Sequence, residues 1–434
     1  MNNSSFLETI PWPSGWRSVP LWTLFERIKD TGHPEEQMLS VYRGQGVRQR
    51  GSDNHSAQAL DRSVYQLVHP GWLVVNRMQA WRGAVGISSH RGIVSGHYIC
   101  FAPRHGENSR FLDWLLQSEV YATEYARLSR GVRPNQAEID NDWLRVLPIY
   151  LPALEEQRRI ADFLDAETAC IDKLVATLQR ELDLLVERRT AGVVAAVSGS
   201  THTDRRSSTL PWLESVPTAW QEVRLGLLAR MGSGHTPSRS HPEWWTGCSI
   251  PWITTGEVKQ VRDDRVEDLY ETREKISELG LANSAAELHP RGTVFLCRTA
   301  SAGYSGVMGL DMATSQDFVT WTCGPRLLPH FLLWCLRAMR PDLLGRLAMG
   351  STHKTIYVPD LQMLRIPLPP TDEQEKIVHT IRRQNARIDT LTDRVRRQQE
   401  LLRERRQALI TAAVTGQFDV TTASGRNVTE GVSA

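Results

Sequence analysis

Apolar residues recur at three- and four-residue spacing in two stretches of the chain, through Ile171, Leu174, Leu178 and Leu185 and again through Ile388, Leu391, Val395 and Leu402. Charged residues fill most positions between them, so the pattern predicts two long amphipathic helices, at 152–199 and 369–416. Prolines (Pro152; Pro367, Pro369 and Pro370) announce each helix, acidic residues follow where a carboxylate suits the helix dipole, and Gly199 and Gly416 mark the ends. A shift of 217 residues lays Pro152–Gly199 on Pro369–Gly416 without a gap, with 19 identities in 48 positions. Among them are Glu156-Gln157 with Glu373-Gln374 and Glu187-Arg188-Arg189 with Glu404-Arg405-Arg406. About 40 residues of helix make a rod of roughly 60 Å. A narrow apolar stripe on such a rod demands a partner, and the nearest is the other copy, packed antiparallel as a coiled coil.

The segments before the helices are related more distantly. Pro13-Ser14-Gly15-Trp16 matches Pro217-Thr218-Ala219-Trp220, and His69-Pro70 with Val75-Asn76-Arg77 matches His289-Pro290 with Phe295-Leu296-Cys297-Arg298, one residue being inserted in the second copy. Short β-branched or aromatic runs alternate there with Gly-rich turns, which predicts curved sheet with peripheral helices. A shorter helix is expected before each rod, around Phe111–Arg127 and His330–Ala348. The expectation is therefore an α+β protein built as an internal pseudo-two-fold repeat. It would comprise a module at 1–151, a helix at 152–199, a polar linker at 200–209, a module at 210–368, a helix at 369–416 and a poorly ordered tail at 417–434.

Composition narrows the function. The 434 residues suit two to four domains, and 51 Lys+Arg against 49 Asp+Glu leave a net charge of +2, too little to coat a polyanion by bulk charge. Polyanion binding must come from local patches. No apolar run approaches the ~18 residues that span a bilayer, and the first residues lack a signal-peptide pattern. Six scattered cysteines without a CxxC pair fit a reducing cytoplasm. The 14 tryptophans divide evenly between the halves, a further sign that the chain is built twice.

Catalytic constellations are missing. There is no GxxxxGK[ST], no GxSxG, no HExxH, no His/Cys cluster and no Pro-Pro-aromatic loop of the kind adenine methyltransferases use; Gly232-Ser233-Gly234 runs on to Pro237 and reads as a Gly-rich turn. No catalytic residue, metal ligand or cofactor site is expected in this chain. Two similar modules on paired rods would instead suit a duplex with local two-fold symmetry, read as two half-sites. Reading DNA calls for Arg or Lys on phosphates and Arg, Lys, Gln, Asn, Ser or Thr on base edges. The candidates are Arg43, Arg48, Asn76, Arg77 and Arg82 in the first module and Arg298, Ser301, Gln316, His353 and Lys354 in the second. Trp244-Trp245 would either stack on an extruded base or line the sheet, and Arg396–Arg406 would be a solvated helix face or a contact to partner or phosphate.

The ordered series Gly232-Ser233-Gly234-His235-Thr236-Pro237-Ser238, Ile250-Pro251-Trp252-Ile253, Ser315-Gln316-Asp317-Phe318 and Gly350-Ser351-Thr352-His353-Lys354, running into Pro367-Leu368-Pro369-Pro370 and Glu373-Gln374, resembles the specificity subunits of Type I restriction-modification enzymes. The likeness covers nearly the whole chain. In the first half Val75-Asn76-Arg77-Met78, Gly92-Ile93-Val94-Ser95 and Glu156-Gln157 follow the same pattern, but Arg130-Gly131-Val132-Arg133 stands where the Gly-Ser-Thr-x-Lys run would be, adding Arg133 to the candidates. The resemblance implies that each module is a target recognition domain for one half of a split site and that the helices set the gap. It implies that they dock two modification subunits, with Glu156, Gln157, Arg188, Glu373, Gln374 and Arg405 as candidate contacts. S-adenosylmethionine, ATP and magnesium would be used by those partners and by the restriction subunits, not by this chain. Two other classes stay open at this point: a scaffold whose Trp-rich modules bind protein or carbohydrate, and a nuclease with an unfamiliar site.

Overall fold

The computed structural model describes residues 5–51, 61–130, 137–350 and 354–420. It is a mixed helix and strand protein whose contacts divide into two units, one of residues 1–178 with 397–434 and one of residues 179–396. Two continuous helices of 44 residues, Leu154–Val197 and Thr371–Val414, begin and end at positions related by the same 217-residue offset. Among the described residues no helix is long and apolar enough to cross a membrane.

In the first unit an antiparallel sheet runs in the order Phe25–Arg27, Tyr98–Pro103, Leu73–Asn76, Val85–Ile87. Leu73, Val74 and Val75 are all buried, as in a strand covered on both faces. The expected helix at 111–127 is two helices, Ser109–Gln117 and Glu119–Leu128. Ser118 ends the first and caps the second, accepting from Tyr121 N–H, because a hydroxyl at that position competes with the helical backbone. Strand Arg17–Pro20 pairs with Pro148–Leu151, directly before the long helix. The core joins Phe101, Phe111, Tyr121 and Tyr125 to Ile160, Leu164 and Ile171 of the first long helix and to Leu409, Ile410 and Val414 of the second. Asp172 pairs with Arg406 at 3.0 Å while Val175 O accepts from Gln399 at 3.2 Å, so the helix segments run in opposite directions here.

In the second unit a five-stranded sheet runs Ala229–Ser233, Phe318–Cys323, Val294–Cys297, Ser305–Met308, Asp268–Leu269, with the last pair parallel. Lys275–Ile276, Ile250–Ile253 and Ala313–Thr314 form a separate small sheet. Strand Gln221–Arg224 pairs with Arg365–Leu368, again directly before a long helix. Helix Pro329–Ala338 is buried among Val294, Leu296 and Trp321, with Val193, Val197, Val378 and Ile381 of the long helices closing the core. Arg189 pairs with Asp389, the positions that the 217-residue offset assigns to Arg406 and Asp172.

The stretch read as a polar linker carries a strand. Arg205–Ser207 forms a strand with Ser215–Pro217, and the Arg205 guanidinium donates to Ser198 O, Gly199 O and Ser215 O, closing the carbonyl end of the first long helix. The polar composition hid this, since the partners of Arg205 come from both sides of the turn. In the described part of the tail, Phe418 lies 5.5 Å from Phe163, ring to ring, and joins the first core.

Candidate DNA interface

Two of the predicted readers, Arg77 and Arg298, directly follow the central strands on a shared backbone frame. Arg77 N–H donates to His97 O at 3.1 Å and Arg298 N–H to Asp317 O at 2.7 Å, in each case to the residue before the neighbouring strand. The carbonyls of the two arginines each accept from an isoleucine, Ile139 at 3.1 Å and Ile356 at 2.8 Å. Ile139 and Ile356 therefore hold the same place in the two units, although the sequences that lead into them differ.

In the second unit this edge gathers several candidates. The Arg298 Nε–H donates to Gln316 O at 3.1 Å, and Thr236 Oγ1–H donates to Gln316 Oε1 at 2.6 Å. Gly234 makes the approach possible: a Cβ there would lie 2.1 Å from Thr314 O, and the next residue, His235, donates its N–H to that same oxygen. Ser301 follows in a tight turn whose Ala300 has φ of 60°, and exposed Lys354 precedes Thr355, which bridges to Thr299. An amide, a guanidinium and a lysine on one edge supply both the bidentate and the phosphate-seeking groups that duplex reading requires. In the sequence Thr236 is only one position of the Gly232–Ser238 series; its bond to Gln316 spans 80 residues and leaves no local signal.

The first unit places its candidates differently. Arg77 is ion-paired with Glu138 at 2.9 Å, and Asn76 Oδ1 accepts from Met78 N–H at 3.1 Å, an Asx turn that fixes the end of the strand. Arg43 pairs with Glu119, and Arg82 lays its guanidinium 4.4 Å over Trp81. Arg48 is exposed near the carboxyl of Asp113. Asp113 is half-buried and accepts from Ile87 N–H at 2.6 Å; desolvation raises its pKa to about 6, against the smaller pull of the hydrogen bonds and of Arg48. Arg133 and His353 lie outside the described residues. Trp244 and Trp245 are built into their own loop, one stacked 4.2 Å from His241 and the other under Arg239 at 4.4 Å.

Of the six candidate partner contacts, two have no surface to offer. Gln157 and Gln374 are both 0% exposed. Gln157 accepts from Asn108 N–H at 3.0 Å and donates to Pro152 O, and Gln374 accepts from Leu328 N–H at 2.8 Å and donates to Pro369 O. Each thereby ties the start of a long helix to its module. Glu156 accepts from Trp16 Nε1–H at 3.3 Å, and Glu373 from Trp220 Nε1–H at 3.1 Å. The matched Pro-x-x-Trp motifs are thus the other half of this joint, which explains why both recur. Arg188 is exposed and Arg405 half-buried. Among the described residues no group of His, Cys, Asp or Glu is arranged to hold a metal ion.

Comparison with known proteins agrees with this architecture. The family described as "Type I restriction modification DNA specificity domain" matches residues 56–183 and 217–400. The StySPI specificity subunit of Salmonella potsdam is 22% identical over 94% of this chain and 90% of its own, as is the EcoKI specificity subunit of Escherichia coli K12. The MjaIX specificity subunit of Methanocaldococcus jannaschii is 25% identical over 43% of this chain and 42% of its own. A chain of known structure, solved in work on assembly and conformational transition of the type I R-M system, superposes with a TM-score of 0.67 at 19% identity, over 94% of this chain and 99% of that one. With both halves of the sequence matched separately by the same family, and the fold shared across nearly the full length, this protein belongs to the Type I restriction-modification DNA specificity family.

Proposed function

We propose that the chain is the sequence reader of a Type I restriction-modification complex, binding double-stranded DNA at a split, asymmetric target and performing no catalysis itself. The recurrence of one backbone frame around Arg77 and Arg298 carries this reading: two reading edges of the same construction suit two half-sites. The chain acts as an internal pseudo-two-fold repeat, and its long helices form an antiparallel coiled coil that sets the gap between half-sites. Matching ion pairs, Arg189 with Asp389 and Arg406 with Asp172, support that role. Arg43, Arg48, Asn76, Arg77, Arg82 and Arg133 serve the first half-site, and Arg298, Ser301, Gln316, His353 and Lys354 the second. Two modification subunits dock on the helices, Arg188 and Arg405 among the contacts, and bring S-adenosylmethionine; restriction subunits bring the ATP- and magnesium-dependent steps. The complex works in the cytoplasm.

The test is single-molecule methylome sequencing of cells carrying this gene with its modification partner, against the same cells without it. The expected result is loss of N6-methyladenine at one bipartite motif, which also yields both half-sites and the gap. If no motif disappears although the modification subunit is expressed, the reader role is wrong. Inserting a heptad near Val175 should change the permitted gap or abolish binding; an unchanged gap would remove the helices as the ruler.

A further inference from the structure

A cleft of about 380 Å³ in the first unit is lined in part by Trp22, Glu26, Arg27, Arg104, Asn141 and Arg145. Three guanidinium groups share this opening with one carboxylate, and that carboxylate, Glu26, is already bound to Arg104. Arg27 and Arg145 are exposed and carry no ion pair among the described residues. Asn141 Oδ1 is buried without a hydrogen-bond partner among them, an acceptor that calls for a donor and not for an anion, so the case for the cleft rests on its arginines. Several other arginines of this unit are compensated, Arg43 by Glu119, Arg77 by Glu138, Arg91 by Glu36 and Arg110 by Asp162 and Asp165, and the exposed Arg48 and Arg159 stand apart from this cleft. Two uncompensated cations on one concave surface focus a positive potential there.

The equivalent place in the second unit lacks this chemistry. Arg27 pairs with Phe101 as Met231 pairs with Trp321, and Arg104 N–H donates to Leu24 O as Gly324 N–H does to Leu228 O. The short helices Asn141–Arg145 and Val358–Gln362 are related by the same offset of 217 as the long ones. Met231, Gly324, Val358 and Gln362 therefore replace Arg27, Arg104, Asn141 and Arg145. The cleft persists there, but Leu227, Met231, Trp321 and Leu361 line it, and of its two rim arginines Arg230 pairs with Glu287. The cationic lining is a property of the first unit and not of the fold.

The cleft also lies close to the reading edge. Glu138, bound to Arg77, is three residues before Asn141. Arg27 stands opposite Phe101, three residues along its strand from Tyr98, which stands opposite Asn76. Three residues of strand are roughly 10 Å, and at about 3.4 Å per phosphate along one strand that is some three base pairs of duplex. We infer that this cleft is a phosphodiester site, which binds backbone phosphates of the duplex flanking the first half-site and adds ionic contacts without sequence information. The inference rests on the proposed reader function and gives the two half-sites unequal ionic anchoring.

The experiment measures binding of the full chain, purified with its modification subunits, to a duplex bearing the motif and to a scrambled one, by fluorescence anisotropy between about 0.05 and 0.3 M salt. For Arg27→Ala/Arg145→Ala the slope of log affinity against log salt should fall by about 2 on both duplexes, at about 0.9 per phosphate. Between about 1 M and 0.1 M salt that slope is roughly 60-fold in affinity. The preference for the motif should not change, and Arg27→Lys/Arg145→Lys, which keeps the charge, should keep the slope. Trimming the duplex at the first half-site should erase the difference between wild type and the alanine variant. An alanine-variant slope equal to wild type overturns the inference, as does an unchanged slope with weaker capture of modification subunits, which would make the cleft a protein contact. Should the alanine pair lower the thermal midpoint, Arg145→Ala alone should lower the slope by about 1, and no decrease counts against the site. Equal wild-type affinity for both duplexes would overturn the reader function, while the slope would still decide the cleft.

Discussion

At the ends of their central strands the two units place the same residue, Arg77 in one and Arg298 in the other, and then treat its side chain differently. Arg77 is neutralised by Glu138, whereas Arg298 donates to a carbonyl and keeps its charge, beside a glutamine held by Thr236. Behind that edge, Gln117 of the first unit and Arg337 of the second occupy matching places, nine residues after Asn108 and Leu328, the backbone positions that Gln157 and Gln374 accept from. Gln117 bonds Asp113 on its own helix. Arg337 is almost wholly buried, donates to Asp264 O, Val266 O and Ser305 O, and faces the Asp264 carboxylate. The shared frame is made of backbone bonds and two buried glutamines, which tolerate almost any neighbour. Surface chemistry can therefore change in one unit without disturbing the framework of either.

The largest difference between the units is expected for Arg337→Met against Gln117→Ala. Removing Arg337 leaves three backbone carbonyls without their donor, while Asp264 keeps its two hydrogen bonds from Arg340, and a loss of about 3 to 5 kcal/mol is expected in the second unit. Gln117→Ala should cost about 1 kcal/mol in the first. Hydrogen exchange in strands 294–297 and 73–76 reads the units separately, and equal losses would end the claim that they are anchored differently.

Asp113 gives the next largest effect. Its pKa of about 6 lies above the unfolded value, so between about pH 4 and 6 the folded unit holds a proton that the unfolded chain has released. Stability of the first unit should thus be highest at the acidic end of that window and fall as pH rises through about 6. Asp113→Asn keeps an acceptor for Ile87 N–H and should remove this dependence, gaining at most about 3 kcal/mol at neutral pH. Exchange in strand 85–87 at pH 5 and pH 8 checks it; an undiminished pH slope in the variant would mean that another group titrates. Smaller still, Arg298→Ala should cost about 1 to 3 kcal/mol at the second half-site, and Lys354→Ala, a phosphate contact, less. Either should leave the first half-site alone, so a loss of equal size at both would contradict separate reading by the two units.

The long helices were legible in the sequence because their period, prolines and terminal glycines all act locally. The central-strand arginines were found through the repeat itself. Arg205 was missed because its polar neighbours look like linker, and Gln157 and Gln374 were assigned to a partner because sequence identity between repeats does not distinguish a buried joint from a docking surface. The Thr236 to Gln316 bond and the cleft around Arg27 and Arg145 assemble from segments about 80 and 120 residues apart, beyond the reach of any periodicity. What lies in backbone pairing could be inferred from pattern; what depends on which cation finds a carboxylate could not.

The core of the first unit takes in Leu409, Ile410 and Val414, which leave the ribosome more than two hundred residues after Ile160, Leu164 and Ile171, the positions they cover. At about 5 to 20 residues per second the early seam stays bare for roughly 10 to 50 seconds. The second unit, drawn from one unbroken stretch, has all its parts before then. Synthesis in the usual direction thus completes the later unit first, and a chain halted before Leu409 would present an apolar groove for chaperones or for another nascent copy.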